Sequence, residues 1–160
     1  MKTIGLIGGM SWESSIEYYR IINEEIGRAL GGLHSARCVM VSVDFAEIEE
    51  YQSAGDWAAA GEAVARAAVQ CEAAGADFLV LCTNTMHKVI TRAEQAVSIP
   101  FLHIADATAR RVAVVGVETV GLLGTRYTME DDFYRGRLES EHRLRVIVPE
   151  REEREAVHRV

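Results

Sequence analysis

Apolar residues recur along this chain in two alternating rhythms. Short continuous runs give way to longer stretches spaced by three and four, which predicts strands separated by helices. Lys2 to Ile7 is a strand-like run closed by Gly8-Gly9, and Ile16, Tyr19, Ile22, Ile26 and Leu30 then follow at helical spacing. Ser11 is placed to cap that helix, and Gly31-Gly32 to stop it. Cys38 to Val43 is apolar at nearly every position, which suits a central parallel strand covered on both faces. A helix is predicted from about Asp56 to Ala74, its alanines allowing close approach to a sheet. Phe78 to Leu81 repeats the buried-strand pattern and leads through Cys82-Thr83-Asn84-Thr85 into a helix bearing Met86, Val89, Ile90, Ala93 and Val97.

Beyond Pro100, Phe101 to Ile104 reads as a short extended piece. Arg111 to Val117 is a strand by its β-branched content, or the end of a helix begun near Asp106; local pattern leaves both open. Thr119 to Leu123 is the stronger strand, followed by a helix from about Met129 to Glu139, a strand from Leu144 to Val148, and a charged helical stretch after Pro149. This alternation implies an α/β fold of three layers, α/β/α, with a mainly parallel sheet and right-handed crossovers.

Composition narrows the function. The chain has 160 residues, 49% hydrophobic and 26% charged, enough apolar content for a substantial core. Its formal charge of -7, with Lys and Arg scattered, argues against nucleic acid as a partner. The amino-terminal apolar run is too short for a signal-peptide core or a membrane span, so a cytoplasmic protein with no membrane partner is expected. Cys38, Cys71 and Cys82 form no Cys-x-x-Cys pair, which suggests neither a disulfide framework nor a zinc site.

In parallel α/β sheets ligands bind beyond the carboxyl ends of the strands. Three polar turns fall there: Gly8-Gly9-Met10-Ser11, Cys82-Thr83-Asn84-Thr85 and Gly124-Thr125, and their convergence would form one pocket. The second brings a thiol, two hydroxyls and an amide to a helix start, where an anion is welcome and a thiol is expected below its usual pKa of roughly 8.5. From spacing alone, Cys82 is equally well a small buried residue, with Thr83 and Thr85 capping the helix. Gly5-x-x-Gly8-Gly9 is not a dinucleotide fingerprint, since it departs from Gly-x-Gly-x-x-Gly and Asp44 lies beyond the roughly 20-residue offset of a ribose partner. His87 has no second ligand at a metal spacing and reads as a surface or capping histidine. The Glu150–Glu155 run reads as a solvated helix face.

The stretch Leu81-Cys82-Thr83-Asn84-Thr85-Met86-His87 resembles the first-cysteine motif of the aspartate/glutamate racemases. Gly5 to Ser14 resembles that family's amino terminus, and Leu123-Gly124-Thr125-Arg126-Tyr127-Thr128-Met129 its middle segment. The resemblance implies two similar lobes with substrate between them, a linking helix near Asp106 to Val115, a homodimer, and a small amino-acid substrate. It implies racemisation without pyridoxal phosphate or any other cofactor and without metal, by two thiols on opposite faces of the α-carbon. Cys82 would be the first thiol, Thr83, Asn84 and Thr85 would hold the α-carboxylate, and Met10, Ser11, Gln52, Thr125 and Thr128 would line the substrate.

Residues 1–112 are thus expected to form a complete first lobe and 113–160 the opening of an incomplete second one. The family's second cysteine, in a Gly-Cys-Thr-Glu-like turn, has no counterpart, and Cys38 and Cys71 read as core residues. The function expected is racemisation of aspartate, glutamate or a broader set of amino acids. Two alternatives stand beside it: a decarboxylase or isomerase of the same superfamily that uses one cysteine, and a non-catalytic carboxylate-binding lobe.

Overall fold

The first apolar run folds as β1 (Thr3–Gly8) and is followed by α1 (Trp12–Leu30), β2 (Arg37–Ser42), α2 (Phe45–Ala54), α3 (Trp57–Ala73) and β3 (Phe78–Leu81). In this computed structural model, which describes residues 1–159, the three strands form one parallel sheet in the order β2-β1-β3. Contacts divide the chain into two units, Met1–Leu102 and a second beginning at His103.

β1 is the central strand. It pairs Ile4 with Cys38 and Gly8 with Ser42 on one edge, and Ile4 with Phe78 and Ile7 with Leu81 on the other. Because side chains alternate across a strand, Gly5 and Ile7 face one layer while Leu6 and Gly8 face the opposite one. The Gly5 face receives α3, whose Ala60, Val64, Ala67, Ala68 and Cys71 are buried with Ile7, Leu79 and Leu81 in one core. The Gly8 face receives α1 through the buried Ser15. Helices therefore cover both faces of β1, in the expected three-layer α/β/α arrangement.

Close approach is what the small residues of α3 and the missing side chain at Gly5 provide. A Cβ on Gly5 would lie 2.5 Å from Leu79 Cδ2, 2.9 Å from Ala76 Cβ and 3.0 Å from Cys71 Cβ. No such methyl fits without displacing the helix or the neighbouring strand.

Two expectations are corrected in this unit. The Cys38–Val43 run is not a central strand: β2 is the edge of the sheet, with Met40 41% exposed and, among the described residues, no strand beyond it. Its apolar content supplies Val39, Val41 and Val43 to the α3 core on one side only. The stretch after Asp44 also holds a helix, α2, which the periodicity of the longer alanine-rich segment masks. Asp44 Oδ1 accepts from the Ala46 N–H at 3.1 Å, and Ile48 is its one buried residue.

The second unit contains α5 (Ile104–Val115), β4 (Thr119–Gly121), α6 (Arg126–Glu130), α7 (Asp132–His142), β5 (Arg145–Ile147) and α8 (Arg151–His158), with β4 and β5 paired in parallel. Residues 111–115 are helical, which resolves the ambiguity of that stretch. The single helix expected over Met129–Glu139 is two, broken at Asp131, whose backbone is extended.

Within the second unit, α5 is anchored by its buried face. Ala105 and Ala109 pack with Tyr134, Leu138, Leu144 and Val146. Asp106 accepts from Arg137 at 2.7 and 2.8 Å and pairs with His142 Nε2 at 2.9 Å. The Arg137 guanidinium above all holds the Asp106 carboxyl well below the usual carboxylate range. His103 caps α5, its Nδ1 accepting from the Ala105 N–H at 3.1 Å. Burial, reinforced by the Arg137 charge, pushes His103 down to about 4, which keeps the ring neutral and able to accept. No helix among the described residues is long and apolar enough to cross a membrane.

Gly5→Ala is expected to destabilise the first unit by about 1–3 kcal/mol through overpacking, measured as a lowered urea midpoint. An unchanged midpoint would contradict the tight α3 contact. For the second unit, the depressed Asp106 pKa means its stabilisation is complete above the ordinary carboxylate value of about 4 and is lost as pH falls through its folded value. Asp106→Asn should flatten that acid limb in pH-dependent unfolding.

Candidate functional site

The two turns that leave the carboxyl ends of β1 and β3 are brought side by side by strand pairing. The Cys82 N–H donates to the Ile7 carbonyl at 2.9 Å, and the Val43 N–H donates to the Gly8 carbonyl at 3.0 Å. Three chain segments thus meet at the last residues of β1.

In the first turn Gly9 has φ +95°, and a Cβ there would collide with the backbone of Val43. The Gly9 N–H donates to Ser15 Oγ at 2.9 Å, and Ser15 Oγ donates to the Ser11 carbonyl at 3.1 Å. Ser15 is 4% exposed, so this one hydroxyl, buried under α1, clamps both ends of the turn. Its signal in the sequence is its place four residues after Ser11, a spacing that only becomes a contact once α1 forms. Met10 is buried in the α3-side core, so its side chain packs there. Ser11 is the N-cap of α1 but makes no side-chain cap bond; its hydroxyl lies 3.5 Å from that of Ser14.

The second turn enters a five-residue 3-10 helix, Thr85–Val89, and then the short α4 (Ile90–Glu94), rather than one continuous helix. Thr83 is half-buried, Asn84 exposed and Thr85 buried. His87, expected at the surface or as a cap, is 2% exposed, with its Nδ1 2.7 Å from the Thr83 carbonyl. Gln52, from α2, sits over this turn with Nε2 3.0 Å from Met86 Sδ, and Lys88 Nζ lies 4.0 Å from the centre of the Trp57 ring. Cys82, Thr83, Asn84, Thr85 and Gln52 therefore gather around one turn, beside that of Met10 and Ser11.

Cys82 itself is fully buried, with Sγ 3.9 Å from the Val80 carbonyl. Burial, with smaller contributions from Cys71 and Cys38, pushes its thiol up to about 12. The lowered pKa expected from a helix start is thereby corrected. A 3-10 helix of five residues aligns too few peptides to stabilise a thiolate against removal from water. Cys71 is buried in α3 with Sγ 3.8 Å from the Leu6 carbonyl, and Cys38 lies on β2; burial raises both thiols.

Thr125 and Thr128 belong to the second unit. Thr125 caps α6, its Oγ1 accepting from the Thr128 N–H at 3.3 Å, and the two hydroxyls lie 3.1 Å apart. Thr125 is exposed and Thr128 buried. Within the first unit, a mainly apolar cleft of about 340 Å³ opens between Trp12, Ile16 and Tyr19 of α1 and Cys38 and Met40 of β2. Among the described residues no three His, Cys, Asp or Glu side chains are grouped to hold a metal ion.

A family model described as Asp/Glu/Hydantoin racemase matches residues 7–160. The chain is 34% identical over 73 residues to the broad specificity amino-acid racemase RacX of Bacillus subtilis, a match over 46% of this chain and 32% of that relative, about a third of its length. Among solved structures, a candidate Asp/Glu racemase from Yersinia pestis superposes with a TM-score of 0.94 at 55% identity, over 99% of this chain and 69% of that one. An aspartate racemase homologue from Pyrococcus horikoshii OT3 gives 0.83 at 36% identity, over 99% and 69%.

With its folded pKa raised, Cys82 leaves stability untouched below the unfolded thiol value of roughly 8.5 and removes it as pH climbs toward the folded value. Urea midpoints should therefore fall between about pH 9 and 11, and fall less steeply in Cys82→Ala. Iodoacetamide should label half-buried Cys38 before Cys82 at about pH 8, as read by peptide mass spectrometry. Faster labelling of Cys82 would contradict this account of its burial.

Proposed function

We propose, on the premise that this chain belongs to the Asp/Glu/Hydantoin racemase family, that it interconverts the L and D forms of aspartate, glutamate or a broader set of amino acids. The observation that carries this reading is the family match over residues 7–160, within which Cys82 stands at the carboxyl end of β3 beside the turn that ends β1. The match to the amino-acid racemase of Bacillus subtilis supports it.

On this reading Thr83, Asn84 and Thr85 hold the substrate α-carboxylate, and Met10, Ser11 and Gln52 border it. Cys82, as thiolate, removes the α-proton; the electron pair left on carbon is spread into the carboxylate, held by fixed hydrogen-bond donors, and inversion requires an acid on the opposite face, a role that neither Cys38 nor Cys71 is placed to fill. The unit Met1–Leu102 acts as one lobe, and the unit beginning at His103 belongs to a second. The protein is a cytoplasmic homodimer and needs no cofactor.

Burial, which raises the Cys82 thiol, opposes formation of the thiolate that this mechanism needs. Once ionised, a thiolate of that basicity is better matched to a weakly acidic α-carbon than an ordinary one. Ionisation then depends on what substrate brings, since the ammonium group of a bound amino acid beside the sulfur favours thiolate.

The test is incubation of the chain with L- and D-aspartate and L- and D-glutamate in heavy water, following α-proton exchange by NMR and inversion by optical rotation. Cys82→Ala should lower exchange by about 10²-fold or more, as expected for loss of a positioned base. Racemisation that survives this substitution would rule the mechanism out, and exchange without inversion would select chemistry that uses one thiol.

A further inference from the structure

We infer that His87 is a positioning residue that aims the backbone N–H of Asn84 at the substrate carboxylate. This rests on the reading of the Cys82–Thr85 turn as the carboxylate cradle. The side chain is 2% exposed, yet it sits in a turn whose neighbour Asn84 is exposed, so a polar ring has been buried beneath a polar loop. Its Nδ1 lies 2.7 Å from the Thr83 carbonyl oxygen. A carbonyl only accepts, so Nδ1 carries the proton and donates. The His87 backbone N–H donates in turn to the Asn84 carbonyl at 3.0 Å.

One residue thereby fixes two successive peptide planes. The Thr83–Asn84 and Asn84–Thr85 bonds are trans, and in a trans peptide the N–H points opposite to the C=O. With the Thr83 carbonyl turned toward the His87 ring, the N–H of exposed Asn84 is turned the other way. The side chain sets the first plane and the backbone sets the second. Without the ring donor the Thr83–Asn84 plane is free to rotate, and its N–H loses a fixed aim while the thiol chemistry at Cys82 is left intact. Preorganised donors of this kind bind a charge at no reorganisation cost.

Bond count chooses the variants. The amide nitrogen of Asn stands as many bonds from Cα as Nδ1 does, whereas that of Gln stands one further and Leu has no donor. The chain, wild type and with His87→Asn, His87→Gln or His87→Leu, is titrated with L- and D-aspartate, and α-proton exchange in heavy water is measured at saturation. His87→Asn should keep Kd within about threefold of wild type, while His87→Leu and His87→Gln weaken it about tenfold, the loss of one oriented hydrogen bond to a charged group. Saturated exchange should change less than Kd in all three. Long-range ¹H–¹⁵N correlation on the wild type should find the proton on Nδ1, a readout that needs no variant.

An unprotonated Nδ1 overturns the inference, as does equal weakening in His87→Asn and His87→Leu. If His87→Leu does not fold, the comparison of His87→Asn with His87→Gln carries the test. Binding by wild type that His87→Leu and His87→Gln leave unchanged overturns the inference alone. Wild type that binds neither enantiomer, or exchange that survives Cys82→Ala, overturns the underlying racemase reading.

Discussion

Parallel pairing of β1 on both of its edges is the constraint from which the rest of the first unit follows. A strand bonded on one side can shift its register at modest cost. One bonded on two sides, with its faces packed under α1 and α3, cannot slip by a residue without turning Leu6 and Ile7 to the wrong layers. That fixed register carries the ends of β1 and β3 to one place, so that Ile7 receives the N–H of Cys82 and Gly8 that of Val43. Ser15 and His87 then act locally, each a buried polar side chain that holds one of the two turns from beneath.

Within that frame, two physical effects compete at Cys82. Peptide dipoles at a helix start favour an anion, and exclusion of water opposes it. The 3-10 turn is short and the sulfur is sealed, so exclusion wins by a wide margin. On the proposed reading, charge is created at this turn only when a ligand changes the surroundings, and Thr83, Asn84 and Thr85 hold that ligand.

Much of this was legible in the residues. The alternation of apolar runs with helical spacing gave the parallel α/β class, the Gly8-Gly9 and Cys82–Thr85 turns, and the close approach of the alanine-rich helix. The motif around Cys82 pointed to the family that the match over residues 7–160 establishes. What was not legible depends on long-range neighbours. Cys38–Val43 is apolar enough for a central strand, but no local pattern reveals that its outer edge lacks a partner among the described residues. His87 and Ser15 look like ordinary polar helix residues until the fold buries them. Likewise, the depth of Cys82 is set by elements far away in sequence, which is why its basicity was expected to move in the opposite direction.

The sealed position of Cys82 has a consequence for its chemical lifetime. Peroxides attack thiolates, and they attack those they can reach. A sulfur that stays protonated and dry between encounters presents neither the charge nor the access on which conversion to sulfenic acid depends. The same burial that makes the group hard to ionise thus shields it from the first step of oxidation.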